Sequence, residues 1–274
     1  MNPSIPRVSV NLIAKNEEAL IADCLASVQW ADEIIVCDDG STDRTVEICH
    51  QFPKVQVHLH PLAGEGPKRN FVLSQSTGEW ILVIDADERI PPELRDEILA
   101  RLGNEPANGY FVRMRYPAFG RWIVDSRPMN PRLFRREAGR FPGRLVHTHA
   151  TVTGPMGVMT HPFVHLSATY TTIRGYLEKQ NIYSTHAATD LYLAGRRISP
   201  LNLPWHMLVK PLLAAIRKYS LWGIRFGTPG FLLSALTGFD YFAIYAKLWE
   251  LQRSRQSISA EQPSTVRHPE QREL

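Results

Sequence analysis

The chain has 274 residues, of which 44% are hydrophobic and 21% are charged. This composition is that of an ordinary globular protein, and the length suffices for one large domain with an extension. Three cysteines, Cys24, Cys37 and Cys49, are odd in number and lie on predicted helix or strand positions, which favours buried thiols over disulfides or a zinc site. No charged segment followed by an apolar one opens the chain, so we expect no signal peptide.

Charge is distributed unevenly along the chain. Residues 1–100 carry 8 Lys/Arg and 17 Asp/Glu, a net charge of −9, whereas the remainder carries 23 and 10, a net charge of +13. An acidic part followed by a basic part predicts two different partners. Because the basic residues alternate with aromatic and aliphatic runs, they favour a membrane surface or an anionic substrate over nucleic acid.

The first hundred residues alternate between strand and helix patterns. The predicted elements are, in order, strand Val8–Ala14, helix Glu17–Val28, strand Glu33–Cys37, a helix from Thr42 to about Gln51, strand Val55–Leu59, helix Gly66–Ser76, strand Trp80–Asp85 and helix Pro92–Leu102. Continuous apolar strands separated by amphipathic helices indicate an α/β fold with a mostly parallel sheet covered on both faces. Ligands of such sheets bind at the carboxyl ends of the strands.

The rest of the chain changes character twice. Between Gly109 and about Val164, short alternating stretches broken by Gly and Pro predict antiparallel strands. Three long helical patterns follow, at Thr172–Ala194, Pro204–Leu221 and Thr228–Gln252. From Ser254 the sequence is polar and low in aromatic residues, and we expect it to be disordered. The chain therefore divides into residues 1–165, 166–253 and 254–274.

Three carboxylates, Asp85, Asp87 and Glu88, follow the apolar run Ile81–Ile84 directly. Like charges at this spacing repel one another, so either water screens them or a cation neutralises them. Two carboxylates at i and i+2 in a turn can reach one divalent cation, and Mg²⁺ is commonly held by one or two carboxylates together with substrate phosphates. The alternative is a solvated turn in which Asp87 or Glu88 caps the next helix.

A second polar turn, Cys37–Asp43, follows another predicted strand. Its Gly40 is typical of a turn, and the Ser, Thr and Asp residues after it are typical helix caps. Turn and capping chemistry account for residues 41–43 but not for Asp38. The functional interpretation makes Asp38 an acceptor for a donor group on a nucleobase or ribose.

A third turn, Gly64–Asn70, delivers Lys68 and Arg69 to a helix N-terminus. This placement suits an anion such as a diphosphate, because the backbone N–H groups point at the ligand. Neither a P-loop nor a GxGxxG pattern is present, which disfavours ATP hydrolysis and dinucleotide binding. The alternative is a solvated basic first turn.

Four stretches in order, VNLIAKNEEALIADCLASV, EIIVCDDGSTDRT, GEGPKRNFVLSQSTGEWILVIDADE and RLFRREAGRF, resemble family 2 glycosyltransferases. More narrowly, they are similar to the lipopolysaccharide-core glucosyltransferase-like branch, and the C-terminal FGTPGFLLSAL resembles it too. The resemblance covers roughly residues 7–165 strongly. It implies a GT-A fold, which is a Rossmann-like nucleotide-sugar domain.

The resemblance also implies roles for single residues. The nucleoside pocket would be lined by Ala14, Asn16, Glu17, Asp38 and Asp39, with Asp38 bonding the base, while Lys68 and Arg69 would lie near the diphosphate. Asp85 and Asp87 would hold Mg²⁺ or Mn²⁺, with Asp87 the more direct ligand. Such a metal stabilises the charge that develops on the departing nucleoside diphosphate.

Family 2 enzymes invert the anomeric centre and need a base for the acceptor hydroxyl. In the related branch a carboxylate often follows a Val-His pair, whereas this chain reads Leu145-Val146-His147-Thr148-His149. Thr148 cannot act as a base, so His147, His149 and Asp125 are the candidates. The alternative is a weakened site in which both histidines are strand residues satisfied by their neighbours.

Arginines alternate with apolar residues in the stretch NPRLFRR. Arg132, Arg135 and Arg136 are candidates for contacts with donor or acceptor phosphates. The alternative is a strand whose arginines face solvent.

The C-terminal helices combine apolar runs with basic and aromatic residues. Gly230–Ala246 is largely apolar, but its length is at the short limit for a membrane span. The flanking residues are Lys210, Arg217, Lys218, Arg225 and Lys247 with Trp205, Trp222 and Trp249. This pattern favours helices that lie on an anionic leaflet. The alternative is a helical subdomain that packs on the catalytic domain or on a second subunit.

The sequence therefore predicts a metal-dependent inverting glycosyltransferase that uses a nucleotide-diphospho-sugar. Its expected acceptor is a lipid-linked or lipopolysaccharide saccharide, and its expected location is the inner face of the cytoplasmic membrane, with no nucleic acid partner. A second hypothesis is transfer to polyprenyl phosphate, which the lack of clear paired transmembrane segments disfavours. A third is a catalytically silent GT-A module that binds nucleotide-sugars, which the missing carboxylate after His147 supports.

Overall fold

A computed structural model describes residues 6–60, 64–102, 106–125, 130–142, 149–166, 170–221 and 223–260, with side chains to residue 254. The chain forms two compact units. We call Met1–Ala118 with Trp122–Ala168 the sheet unit, and Phe119–Arg121 with Thr169–Leu274 the helical unit.

The sheet unit alternates strands and helices before it becomes a series of short strands. Its elements are β1 (Val8–Ala14), α1 (Ile21–Ser27), β2 (Glu33–Asp38), α2 (Thr45–Cys49), β3 (Val55–Leu59), α3 (Glu65–Gln75), β4 (Trp80–Val83), β5 (Glu88–Arg89), α4 (Pro92–Arg101), β6 (Gly109–Phe111), β7 (Met114–Ala118), β8 (Arg121–Val124), β9 (Pro131–Arg135), β10 (Gly139–Arg140), β11 (Thr151–Val152), β12 (Met156–Val158) and β13 (Phe163–His165).

The central sheet has seven strands in the order β12-β6-β9-β4-β1-β2-β3. Strands β4, β1, β2 and β3 are parallel to one another, and β9 runs antiparallel between β4 and β6. The carboxyl ends of β1, β2 and β4 therefore meet at one edge. This arrangement confirms the predicted α/β fold with a mostly parallel sheet.

Both faces of this sheet are covered, which explains its continuous apolar strands. Along β2, Ile34 and Val36 pack in the core cluster that includes α1, whereas Ile35 and Cys37 pack on the other face against Val72 of α3. Side chains alternate between faces in a strand, so a strand that is buried on both faces needs an apolar residue at every position. Each such fully buried aliphatic side chain contributes about 1.5–3 kcal/mol.

The three cysteines are buried free thiols, as the sequence predicted. The middle of the chain differs in part from its prediction. Many of its strands pair antiparallel as expected, but β12 pairs parallel with β6 and β13 pairs parallel with β7. Parallel pairing needs a long crossover connection, and the strands that lie between these partners in sequence provide it.

The helical unit contains α5 (Ile173–Leu193), a π-helical turn (Trp205–Val209), α6 (Lys210–Leu221), a 3-10 turn (Gly223–Phe226) and α7 (Thr228–Ala260). Thr172 caps α5, because its Oγ1 accepts the Gly175 N–H at 3.0 Å. The sequence predicted these helices closely. However, α7 extends to Ala260, past the start of the expected disordered tail at Ser254, and residues 261–274 lie outside the described residues.

Two glycines of α7 permit close packing within the helical unit. A Cβ on Gly230 would overlap the carbonyl oxygen of Gly223, and a Cβ on Gly238 would lie 2.9 Å from the carbonyl oxygen of Pro211. The backbone of α7 therefore approaches the segment around α6 more closely than any residue with a side chain would allow.

Candidate active site

The carboxylates that follow β4 lie at the carboxyl edge of the central sheet. Strand β4 ends at Val83, and the chain turns through Asp85–Asp87 before it enters β5. The Glu88 N–H donates to the Asp85 carbonyl at 2.9 Å, which closes this turn. Cys24 of α1 lies beneath it, with its Sγ 3.4 Å from the same carbonyl.

Asp85 forms ion pairs with two arginines from different elements. Its Oδ1 accepts Arg69 Nη2 of α3 at 2.5 Å, and its Oδ2 lies 3.5 Å from Arg132 Nη1 of β9. Burial would raise the pKa of Asp85, but the charges of the two guanidinium groups hold it well below its usual range. The contact with Arg132 is long, so Oδ2 is the less firmly held oxygen.

Glu88 supports this cluster from below. Its side chain is buried, its Oε2 accepts the Asp85 N–H at 2.9 Å, and its Oε1 accepts Arg132 Nη2 at 2.7 Å. Burial raises the pKa of Glu88 to about 7, although the nearby charge of Arg132 lowers it. Glu88 does not cap α4, which begins at Pro92, and instead fixes the positions of Asp85 and Arg132.

Asp87 pairs with a histidine that the sequence did not indicate. Its Oδ2 lies 2.9 Å from His165 Nε2, and its carbonyl accepts the Leu166 N–H at 2.7 Å. Antiparallel pairing of β13 with β5, which places His165 opposite Glu88, brings these residues together. The Nδ1 atom of His165 is buried and has no hydrogen-bond partner among the described residues. No local motif marks HPFVHL, so only this long-range pairing identifies His165.

The loops after β1 and β2 are joined by reciprocal hydrogen bonds. The Asn16 N–H donates to Ser41 Oγ at 2.9 Å, and the Thr42 N–H donates to Asn16 Oδ1 at 2.8 Å. Likewise, the Glu17 N–H donates to Thr45 Oγ1 at 2.7 Å. Asn16 has a φ of 56°, a left-handed conformation that Asn tolerates better than most residues. Asn16 thus holds two loops together.

Asp38 is buried and is used mainly by its own turn. Its Oδ2 accepts the N–H groups of Gly40 at 3.0 Å and Ser41 at 2.9 Å, and its Oδ1 accepts the Ser41 hydroxyl at 2.5 Å. A carboxylate has about four acceptor positions, so about one remains for a ligand. Ala14 is buried as well, and its carbonyl accepts the Asp39 N–H at 2.9 Å. The hydrogen bonds of its own turn therefore account for most of the acceptor positions of Asp38, which the sequence predicted to bind a ligand.

Two acidic residues link these loops to the carboxylate turn and to α3. Burial, and then the negative charge of Asp87, raises the pKa of Glu17. Asp39 accepts Lys68 Nζ at 2.6 Å, and Lys15 Nζ lies 3.7 Å from it. Lys68 therefore closes the gap between α3 and the loop after β2.

The predicted arginines separate into two positions. Because β9 runs antiparallel to β4, Arg132 lies near the end of β4, whereas Arg135 lies opposite Trp80 at its beginning. The Arg135 guanidinium stacks 4.8 Å above the Trp80 ring. The structure thus brings Arg132 to the site and does not bring Arg135 there, a distinction that depends on strand direction.

The structure gives less information on the three candidate bases, Asp125, His147 and His149. Asp125 follows β8, and its N–H donates to the Met114 carbonyl at 2.9 Å. His149 is exposed just before β11. His147 and Thr148 lie outside the residues that the structure describes, so the choice of base stays a prediction.

The side chains of the site fit a divalent cation that is shared with a ligand. Across residues 6–254, excluding the gaps in the description, no three His, Cys, Asp or Glu side chains form a complete metal cage. Mg²⁺ commonly takes only one or two protein ligands, with phosphates completing its shell. The acidic side chains of this edge, Glu65, Asp85, Asp87 and Glu88, are paired with Arg69, Arg132 and His165.

A mostly parallel α/β sheet that carries this acidic turn and two joined loops at its carboxyl edge has the architecture of a GT-A fold. The family model "Glycosyl transferase family 2" matches residues 9–156, which is more than half of the chain. The protein therefore belongs to glycosyl transferase family 2, as its motifs indicated.

Relatives cover nearly the whole chain. An uncharacterized glycosyltransferase of Rickettsia typhi is 32% identical over 93% of this chain and 90% of its own. The lipopolysaccharide core biosynthesis glycosyltransferase LpsC of Rhizobium meliloti is 29% identical over 91% of this chain and 94% of its own. Among solved structures, the mannosyltransferase PcManGT of Pyrobaculum calidifontis, in complex with GDP-Man and Mn²⁺, covers 90% of this chain and 88% of its own, with a TM-score of 0.52 and 18% identity. This last likeness confirms the fold.

Proposed function

We propose that the protein is a metal-dependent, inverting glycosyltransferase that moves a sugar from a nucleotide-diphospho-sugar to a lipid-linked or lipopolysaccharide saccharide. The observation that carries the proposal is the Asp87–His165 pair beside the Asp85 cluster, at the edge of the sheet where ligands of parallel α/β folds bind. The donor class agrees with family membership.

Asp87 and His165 are the residues that would hold Mg²⁺ or Mn²⁺. An anionic oxygen and an imidazole nitrogen suit Mn²⁺, and a metal bound there would stabilise the charge on the departing nucleoside diphosphate. Asp85 would contribute less directly to the metal, because Arg69 holds its Oδ1 and only its Oδ2 can turn towards a ligand.

The chain's own residues bind and orient the donor. The remaining acceptor position of Asp38 would receive an N–H group of the base, within loops that Asn16 fixes. Arg132 lies beside the carboxylate turn, and its ion pairs with Asp85 and Glu88 keep the guanidinium in place. These charged groups are ordered before the donor arrives, which reduces the reorganisation that the reaction requires.

The acceptor class rests on a relative. LpsC is described by its name as an enzyme of lipopolysaccharide core biosynthesis, and it aligns with nearly the entire chain. Inversion needs a base for the acceptor hydroxyl, and Asp125, His147 and His149 remain the candidates. Transfer by direct displacement places that base on the side of the sugar opposite the diphosphate.

A donor panel tests the proposal. Wild-type protein is mixed with lipopolysaccharide-core acceptors and with UDP-, GDP- and other nucleotide-sugars, and nucleoside diphosphate release is followed with Mn²⁺, with Mg²⁺ and with EDTA. We expect one donor to turn over with metal and none with EDTA. Replacement of Asp87 by Asn should lower turnover by about a hundredfold or more, because the metal contributes several kcal/mol to charge stabilisation.

The matched control is Asp96→Asn, an exposed aspartate on α4 that is bonded to Arg95. It should turn over donor like the wild type. Transfer to polyprenyl phosphate but not to any saccharide would replace the acceptor assignment. Nucleotide binding without turnover for every donor would instead identify a silent nucleotide-sugar-binding module, and full activity of Asp87→Asn would contradict the metal assignment.

A further inference from the structure

The surface of α6 and the turn before it is apolar, which is unusual for a helix that faces water. Six large apolar side chains are each more than half exposed: Trp205, Leu208, Leu212, Leu213, Ile216 and Leu221. We call these six residues the apolar face. A soluble helix normally turns such a stripe towards its core, and contiguous exposed apolar surface of this kind marks an interaction site.

Several polar groups of the same unit bond to a neighbouring helix. Lys218 Nζ of α6 donates to Thr237 Oγ1 of α7 at 2.8 Å, and Lys210 Nζ donates to the Tyr245 hydroxyl. Further along, the Tyr176 hydroxyl of α5 donates to Asp240 Oδ2 of α7 at 2.5 Å. These polar contacts join the helices together with a buried apolar cluster that includes Ala188, Ile198 and Leu248. The exposed apolar face of α6 favours an apolar surrounding rather than water.

The exposed face of α5 is an internal contrast. It mixes the apolar Leu177 and Ile182 with polar neighbours such as Glu178, Asn181 and Asp190. A helix with this mixture is typical of a surface that faces water. The apolar face of α6 is therefore not repeated on α5, although α7 also exposes Phe231, Phe239 and Phe242.

Charge identifies the occupant of the apolar face. From Leu191 to Phe239 the sequence contains six Lys/Arg and no Asp or Glu. Of these, Arg217 on α6 and Arg225 just after it are exposed. A second copy of the chain would bring the same positive charges together, whereas anionic lipid headgroups complement them. Each basic residue near an anionic membrane surface strengthens binding to it.

We propose that α6 lies in the plane of an anionic membrane, with its apolar face inserted at the boundary between headgroups and acyl chains. Trp205–Leu221 extends roughly 25 Å, a length suited to lying along the interface. Arg217 and Arg225 then contact the headgroups. This inference concerns attachment and is independent of the sugar that is transferred.

The long helix α7 provides the competing arrangement. Its segment Thr228–Ser254 is long enough, and contains a stretch apolar enough, to cross a membrane by length and composition. However, its Asp240 and Lys247 bond to α5, where Lys247 Nζ lies 2.7 Å from Asn181 Oδ1. These internal bonds fit a helix that stays packed in the unit, so the proposal places α6, and not α7, in the lipid.

Flotation of the full chain with vesicles tests the proposal. Vesicles of phosphatidylcholine alone are compared with vesicles that also contain phosphatidylglycerol, at low and high salt. Wild-type protein should float with the anionic vesicles. Replacement of Leu212 and Ile216 by Gln should weaken binding at least about tenfold, since two buried side chains are lost from the apolar contact. Arg217→Gln with Arg225→Gln should weaken binding to anionic vesicles by roughly tenfold and reduce its salt dependence.

The matched control carries the same chemical change on α5, as Leu177→Gln with Ile182→Gln. It should float like the wild type, and circular dichroism with thermal unfolding should show that all variants fold. Equal binding of the Leu212/Ile216 variant and the wild type would overturn the proposal. Equal losses of vesicle binding in the Leu212/Ile216 variant and in the Leu177/Ile182 control would also overturn it, because the contact would then not be specific to the apolar face.

Two further outcomes would also overturn it. Light scattering that shows a dimer in the wild type and a monomer in the Leu212/Ile216 variant, with no vesicle binding by either, would identify a second copy as the occupant. Protein that stays in the membrane after alkaline carbonate extraction would indicate that α7 spans it. Release by carbonate supports attachment in the plane of the interface.

Discussion

The sheet unit and the helical unit differ in where they place apolar side chains. Of the 21 exposed large hydrophobic residues in the described chain, 18 belong to the helical unit, and the sheet unit exposes only Leu59, Trp122 and Val158. Trp80, Tyr110 and Phe134 are fully buried in the sheet unit. The sheet unit therefore buries most of its large apolar side chains, while the helical unit exposes many of them.

The two units also use buried charge differently. In the sheet unit, buried ion pairs gather at one edge, where Arg69 and Arg132 meet Asp85. In the helical unit, polar contacts such as Lys218 with Thr237 and Tyr176 with Asp240 connect helices to one another. Concentrated charge with perturbed pKa values is typical of a reactive site, whereas the polar contacts of the helical unit are spread between its helices.

The largest effect on stability is expected from Arg69 in the sheet unit. Arg69→Met removes the ion pairs of Arg69 with Asp85 and with Glu65. Asp85 then keeps only its longer contact with Arg132, at 3.5 Å. Removing one partner of a buried ion pair typically costs about 3–5 kcal/mol. Because the Asp85 side chain is 37% exposed, water screens part of this cost, and urea unfolding of the variant should show a loss at the lower end of this range. Arg174→Met, on the exposed start of α5, is the control and should unfold like the wild type.

A matched pair of leucines tests the contrast in burial directly. Leu12 in β1 is fully buried, whereas Leu212 in α6 is 60% exposed. Leu12→Ala should lower the free energy of unfolding by about 2–5 kcal/mol, and Leu212→Ala should change it by less than about 0.5 kcal/mol in buffer. Denaturant unfolding without lipid measures both. Comparable losses of unfolding free energy would show that the apolar face is covered within the folded protein, and the two units would then not differ in how they place apolar side chains.

Glu97 links α4 to the segment that leads into β13 and His165. Its carboxylate accepts the N–H groups of Thr160 and His161, each at 2.8 Å, and these bonds lower the pKa of Glu97 to about 2 even though burial opposes the shift. Glu97→Gln should cost about 1–3 kcal/mol at neutral pH. Glu93→Gln, exposed on the same helix, should cost nothing measurable.

The pH dependence of this effect follows from its sign. A carboxyl whose pKa is lowered on folding stabilises the protein above its unfolded pKa of 4.5, and this stabilisation is lost as pH falls towards about 2. The difference between wild type and Glu97→Gln should therefore shrink below about pH 4.5. A difference that stays constant down to pH 2 would assign the loss to packing rather than to charge.

The smallest effect is expected at Asp240 in the helical unit. Burial raises the pKa of Asp240 to about 6. A raised carboxyl pKa means that its contribution to stability is present below pH 3.8 and is lost as pH rises through about 6. Asp240→Asn should remove this slope, with a gain of about 1 kcal/mol at neutral pH. Hydrogen exchange of α7 amides in buffer measures it, and Asp190→Asn on α5 is the control.

The regular elements of the chain were largely predictable, and their boundaries show where prediction stops. The stretches VSVNLIA and VQVHL predicted β1 and β3 to the residue. The first helix was expected from Glu17 but begins at Ile21, because the N–H groups of Glu17 and Glu18 are bonded to Thr45 and Asp43 side chains. Such contacts between loops have no local pattern in the sequence.

The site was predictable where its residues follow neighbouring strands. Asp85 and Asp87 could be found from the end of β4, and Arg69 from the glycine turn before it. His165 reaches Asp87 only through the pairing of β13 with β5. Arg132 and Arg135 looked equivalent in sequence, and only the direction of β9 separates them. Long-range strand pairing is thus what the sequence could not supply.

We propose that Asp87 and His165 together hold the divalent metal of the sheet unit. Crystals grown with Mn²⁺ and the nucleoside diphosphate of the active donor, measured at the manganese absorption edge, test it most directly. We predict one anomalous peak within about 2.0–2.3 Å of an Asp87 carboxylate oxygen and His165 Nε2. A peak that contacts neither residue, or no peak with the nucleotide bound, would contradict the account.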